Sequence, residues 1–202
     1  MTTKGLISVG ISVGSLSEPS GICVSELEYR DVPPGCYYGA EHYLIRALQR
    51  IPAGASYPSI ADRAAELVSR LSEYTSDWIR ITVDATGKGP PLVDLFRSRI
   101  EGNSIYSAYF NFGDQISEAA NETITIGKAW LVTRLVTSLQ ASRLHLPRSQ
   151  DAEILADELN NYQIEIDPNA NNRYGAFKVG TKDELVTALG LTLIPVRRAW
   201  IY

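Results

Sequence analysis

Cysteine and histidine are scarce in this chain, with two of each among 202 residues. Cys23 and Cys36 form no CxxC pair and cannot build a disulfide framework, so reduced thiols in a cytoplasmic protein are expected. His42 and His145 lie far apart and have no partners at metal-ligand spacing, so neither is given a role. Long apolar runs are also missing: nothing approaches the roughly 18 residues that span a bilayer. The start, MTTKGLISVGISVG, carries one Lys and alternates, without a clean apolar h-region or cleavage site, so no signal peptide is expected. Positive charge is not in excess. The formal net charge of -4 argues against nucleic-acid binding driven by charge alone. A local basic track from Arg97, Arg99, Lys128, Arg134, Arg143 and Arg148 stays open beside the plainer reading of scattered, solvated charges. There is no internal repeat, no low-complexity tract and no linker long enough to split the chain. What remains is ordinary for one soluble domain: 45% hydrophobic and 21% charged, enough to bury a core.

The pattern along the chain predicts an α/β domain. LISVGISVG (6–14) and GICVSELEY (21–29) alternate as strands around a Pro19-Ser20-Gly21 turn. CYYGAEHYLIRAL (36–48) is ambiguous, its aromatics favouring a third strand. SIADRAAELVSRLSEY (59–74) repeats Ile60, Ala64, Leu67, Val68 and Leu71 at helical spacing. WIRITVD (78–84) reads as a central strand. Pro90 and Pro91 suit the first turn of a helix with Leu92, Val93, Leu95 and Phe96 on its apolar side. A strand over 103–113 and a helix over 127–143 follow, then a short extended RLHLP. Next come a helix over 151–162, a hairpin across NANNR and a last helix from Thr181 to about Leu193. Antiparallel strands come first and αβ alternation follows, which predicts one domain, 1–202, with a mixed sheet.

Three places carry candidate chemistry. In IRITVDATGKG (79–89), Asp84 stands where a strand ends, the end at which open α/β sheets bind ligands. Gly87 and Gly89 allow a tight turn there. The alternative is an Asx-turn cap. In TKDELVTALGL (181–191), Asp183 and Glu184 are adjacent acids at a helix start. The plainer account is a capping box from Thr181 to Glu184 with acids favoured by the helix dipole. The functional account needs these acids to meet Asp84 in space. In GISVGSLSEPSG (10–21), position 12 at the end of the first strand is Ser12, and Glu18 follows in the loop.

These segments, in this order, resemble the nuclease domain of phage terminase large subunits. VDATGKGPPLVDLF is similar to the family's second acidic motif and TKDELVTALGL to its third. ITIGKAWLVTRLVTSLQASRLHLP, including Lys128, is similar to the stretch between them. DAEILADELNNYQI is similar to the following helix with its Glu-Leu pair, and GISVGSLSEPSGICV to the opening strand-turn-strand. The resemblance spans about residues 5 to 193. It implies a ribonuclease H-like fold and a Mg²⁺- or Mn²⁺-dependent endonuclease that cleaves DNA phosphodiesters. The implied metal ligands are Asp84, Asp183 and Glu184. Lys128 is implied to approach the scissile phosphate, with a solvated helix-start lysine as the alternative. Implied partners are DNA and other phage packaging proteins, in the cytoplasm of the host cell, with no membrane role.

The departures from the family pattern are specific. Ser12 stands where the first-strand Asp is expected, and Lys182 where the third motif usually has His. No G-x-x-x-x-G-K-[ST] occurs, and GKG at 87–89 lacks the spacing of a phosphate loop, so no packaging ATPase is expected from this chain. Two-metal hydrolysis needs several carboxylates to offset the cations' charge, and a serine hydroxyl is neutral. Weak metal binding and an attenuated nuclease follow as the expectation, unless Glu18 folds in. The alternative function is a catalytically degenerate ribonuclease H-like module that binds DNA or protein. A small-molecule α/β enzyme using ATGKG as an anion turn is a further alternative. Tyr57, Trp78, Tyr106, Tyr109, Phe110 and Phe112 could stack on bases, but their positions favour core packing.

Overall fold

The computed structural model describes residues 3–34, 36, 39–75, 78–166, 172–175 and 183–195. Eight strands form one mixed sheet in the order β6-β7-β5-β4-β1-β2-β3-β8. The expected opening is there: β1 (Thr3–Ser12), β2 (Ser20–Arg30) and β3 (Ala40–Ile51) run antiparallel to one another. β4 (Ile79–Asp84) then lies parallel to β1 on its other side and is followed outward by β5 (Ile105–Asn111). The third strand, expected through Tyr43 to Ala47 of the ambiguous stretch 36–48, is longer at both ends.

The sequence reading missed a hairpin, β6 (Ile116–Ala119) and β7 (Thr123–Gly127), which places β7 parallel to β5. The alternation in TITIG was its signal, overshadowed by the long helix that starts at the next residue. A two-residue β8 (Leu144–His145) closes the other edge beside β3. A separate hairpin pairs β9 (Gln163–Ile166) with β10 (Asn172–Gly175) where the closing hairpin was expected.

One face of the sheet holds Val9, Ile11, Ile22, Val24, Ile79, Ile81 and Val83. They pack against α1 (Tyr57–Tyr74) and α2 (Pro90–Arg97) through Ile60, Ala64, Leu67, Val68, Val93 and Phe96. α1 begins cleanly because the Ser56 hydroxyl accepts from the Ser59 N–H at 3.3 Å and a proline sits in the first turn. The other face carries α3 (Lys128–Gln140), α4 (Gln150–Asn161) and α5 (Glu184–Thr192).

α5 is apolar around most of its circumference, as a helix enclosed on all sides must be. It lies on β1 and β2, where the alternation that buries Val9 and Ile11 on one side leaves small residues on the other. A Cβ on Gly10 would stand 2.1 Å from the Ala188 carbonyl oxygen, and one on Gly21 2.5 Å from that of Glu184. The glycines therefore set the height of α5 above the sheet. Gly10→Ala should destabilise the fold by about 1–3 kcal/mol through overpacking, measured by urea denaturation.

Among the described residues, no helix is long and apolar enough to cross a membrane. Cys23 is buried, and burial pushes its thiol up to about 12, which keeps it an inert core residue at neutral pH. The two histidines do meet: His42 Nδ1 and His145 Nε2 lie 2.9 Å apart across the β3–β8 pair. Burial and the neighbouring Arg30 charge push the His42 imidazole below its ordinary pKa.

Candidate active site

β1 and β4 are neighbouring parallel strands whose continuations leave in opposite directions, β1 toward β2 and β3, β4 toward β5 and β7. That is a topological switch point, where a crevice opens beyond the strands' carboxyl ends. Ile11 pairs with Val83. The next residues, Ser12 and Asp84, thus stand side by side as the last residues of their strands. They face the α5 side, since Ile11 and Val83 face α1 and α2.

A cavity of about 260 Å³ opens at this point, lined by Ser12, Glu18, Asp84, Lys128, Asp183 and Glu184. These six residues, from four separate segments, border the same cavity. Lys128 is the first residue of α3, and Asp183 is the N-cap of α5. Glu18 is exposed in the β1–β2 loop, where its carboxylate accepts from the Ser15 hydroxyl at 3.3 Å. Thr181 and Lys182, and with them the expected capping box, lie outside the described residues.

Asp84 satisfies both readings left open for it. Its Oδ1 accepts from the Thr86 N–H at 2.9 Å, which is an Asx-turn. Gly87 and Gly89 follow with φ of 72° and 74°, left-handed values that turn the chain into α2. The Thr86 hydroxyl accepts in turn from the Phe110 N–H at 2.9 Å, tying this turn to β5. Yet the carboxyl also borders the cavity. Burial raises its pKa despite the Thr86 hydrogen bonds and the charges of Lys88 and Lys128.

Glu184 is buried, and its Oε1 accepts from Arg50 Nε at 2.7 Å. α5 makes no side-chain cap bond of its own at Asp183. Its first-turn N–H groups are met from another helix: Glu158 Oε2 accepts from Leu185 and Val186 at 2.9 and 3.1 Å. Sequence reading gave no role to Arg50 or to Glu158, the Glu of the Glu-Leu pair in DAEILADELNNYQI. Glu158 did leave a signal, since it falls at an apolar-stripe position of α4, with Leu155 and Ala152 three and six residues before it.

Half of the suspected basic track is engaged in ion pairs within the protein. Arg97 meets Asp94 and Glu122, Arg99 meets Asp62, and Arg134 meets Glu41 and the Tyr43 hydroxyl. Of the aromatics, Tyr106 packs edge-on against Trp78 and under the Arg80 guanidinium, as structural residues. Phe110 borders the cavity and Phe112 is largely exposed beyond it.

The mixed sheet, its opening antiparallel strands and the flanking helices make a ribonuclease H-like α/β fold. Solved structures that share this fold include terminase nucleases. The large terminase nuclease of thermophilic phage G20c, with bound cobalt, superimposes with a TM-score of 0.64 at 17% identity, covering 93% of this chain and 80% of that one. The human cytomegalovirus terminase nuclease domain, soaked in Mn, gives 0.55 at 15% identity over 92% and 80%. The large terminase nuclease domain of Thermus phage P74-26 gives 0.52 at 16% over 93% and 77%. The sequence matches no protein-family model and no curated protein.

Proposed function

We propose that this chain is a terminase-nuclease-type, divalent-metal-dependent endonuclease that cleaves DNA phosphodiesters, weakened by Ser12. The observation that carries this reading is the convergence of Asp84, Asp183 and Glu184 on one cavity at the sheet's switch point. The fold likeness supports it, because the G20c nuclease has been solved with bound cobalt, magnesium and zinc. On this reading the chain works in the host cell's cytoplasm, on DNA and beside other phage packaging proteins.

The donor set fits a hard divalent cation such as Mg²⁺ or Mn²⁺, since it is made of carboxylate oxygens around a polar cavity. Asp84, whose charge burial penalises, is the group such a cation would relieve. Asp84 and Asp183 would hold the ion, with Glu184 contributing through Oε2, the oxygen that Arg50 does not take. Among the described residues, no three acidic, histidine or cysteine side chains close on a single metal position. Ser12, a neutral hydroxyl, borders the same cavity beside Asp84. When bound, the cation would activate water and steady the leaving oxygen.

The protein's own groups do the rest. The Asx-turn fixes the direction of Asp84. Lys128 and Lys88, both at the cavity, supply positive charge where a phosphate would enter. Supercoiled plasmid incubated with Mn²⁺ should be nicked slowly, and chelation should stop the nicking. No metal-dependent nicking at any Mn²⁺ concentration, with DNA binding retained, would replace this reading with a degenerate binding module.

A further inference from the structure

We propose that Glu158, acting with Arg50, is a positioning residue that clamps the first turn of α5 and so holds Asp183 and Glu184 at the cavity. The proposal rests on the nuclease reading above.

A helix start leaves several N–H groups without intrahelical partners, and a local Ser, Asp or Asn usually meets them. α5 does otherwise. Its N-cap Asp183 makes no cap bond, and the acceptor for Leu185 and Val186 comes from Glu158, 27 residues upstream of Leu185 on α4. Glu158 is only 6% exposed. Burying a carboxylate is costly, and a helix cap alone does not require it. Burial, reinforced by the charge of Glu184, pushes its pKa up to about 8, against the opposing effect of the Val186 and Leu185 N–H groups and Arg50. Its second oxygen, Oε1, has no hydrogen-bond partner among the described residues.

Arg50, at the end of β3, completes the arrangement by binding Glu184 Oε1 at 2.7 Å. From below, Gly21 of β2 lets the Glu184 carbonyl approach the sheet. Three elements thus meet on the single turn that carries both acids: β2 underneath, β3 through Arg50, and α4 through Glu158. Asp183 opens the clamped turn as its N-cap. It is held because the turn that begins with it cannot shift.

The test compares Glu158→Ala, Glu158→Asp and Glu158→Gln with Leu155→Ala, a buried residue on the same helix that touches no part of the clamp's hydrogen bonding. Mn²⁺ affinity is measured by calorimetry, and amide exchange of residues 183–189 is followed without metal. Glu158→Ala should weaken Mn²⁺ binding by about 10- to 100-fold, the usual effect of losing an outer-shell partner, and speed exchange at Leu185 and Val186. Glu158→Asp, which withdraws the acceptor by one methylene, should show the same changes in smaller degree and serves if the alanine variant does not fold. Glu158→Gln should keep near-wild-type affinity, because its amide oxygen still accepts both N–H groups. Leu155→Ala should lower the melting temperature while leaving Mn²⁺ affinity unchanged.

Faster exchange with undiminished Mn²⁺ affinity in both the Ala and Asp variants would overturn the positioning role. So would a Gln variant as impaired as Ala, or equal loss of affinity in Leu155→Ala. A wild-type protein that binds no Mn²⁺ would instead overturn the nuclease reading itself, and the exchange data would still show whether the clamp exists.

Discussion

Replacing Asp84 with Asn should reduce Mn²⁺-dependent nicking of supercoiled DNA by at least about 100-fold, since a metal's charge stabilisation contributes several kcal/mol and each 1.36 kcal/mol is tenfold in rate. Stability should not fall with it. The Asn Oδ1 can still accept the Thr86 N–H, so the turn into α2 survives. Burial raises the Asp84 pKa, so the charged form costs more in the folded protein than in the unfolded chain. A neutral side chain removes that penalty. The stability change has a definite sign: an acid with a raised folded-state pKa favours folding at low pH and loses that contribution as pH rises through the folded value. Asp84→Asn should therefore equal or exceed the wild type in urea midpoint at neutral pH, and the gain should vanish in acid. A variant that is inactive yet at least as stable identifies a functional carboxylate held at a structural cost. Cleavage that survives the substitution removes Asp84 from the site.

Ser12→Asp should act in the opposite direction. Ser12 is nearly buried and stands beside Asp84 at the ends of adjacent parallel strands. A carboxylate there would border Asp84 and complete the bridge that the cavity lacks. Without metal, two neighbouring buried acids repel and raise each other's pKa, so the variant should lose roughly 1–3 kcal/mol of stability. With Mn²⁺ the same pair becomes the better ligand set, since affinity rises with ligand charge. Mn²⁺ should bind at least about tenfold more tightly and raise the melting temperature more than in the wild type. Nicking should increase in parallel. Unchanged affinity would mean that Asp84 and Asp183 are not placed for a shared ion.

Much of this was legible in the sequence because the informative residues sit at element ends. The strand IRITVD stops at an acid followed by glycines, and the apolar helix LVTALGL starts behind two more. Alternation alone gave the opening hairpin. What local pattern could not give was the meeting of distant elements. Arg50 and Glu184 are 134 residues apart, and nothing near Arg50 hints at its partner. The cap of α5 was sought in Thr181, next door, whereas Glu158 supplies an acceptor from another helix. The sequence left a basic track open beside scattered charges, and in the fold Arg97, Arg99 and Arg134 each meet a carboxylate that local pattern could not indicate. The β6–β7 hairpin was hidden because one of its strands runs directly into α3.

The central claim is that Asp84 and Asp183 share a divalent cation. Crystals soaked in Mn²⁺ and measured at the manganese absorption edge test it most directly. The account predicts one anomalous peak in the cavity between Asp84 and Asp183, within about 2.0–2.4 Å of oxygens from both carboxylates. Full-strength soaks that leave this cavity without a peak, or place the ion on Glu18 away from Asp84, would contradict it.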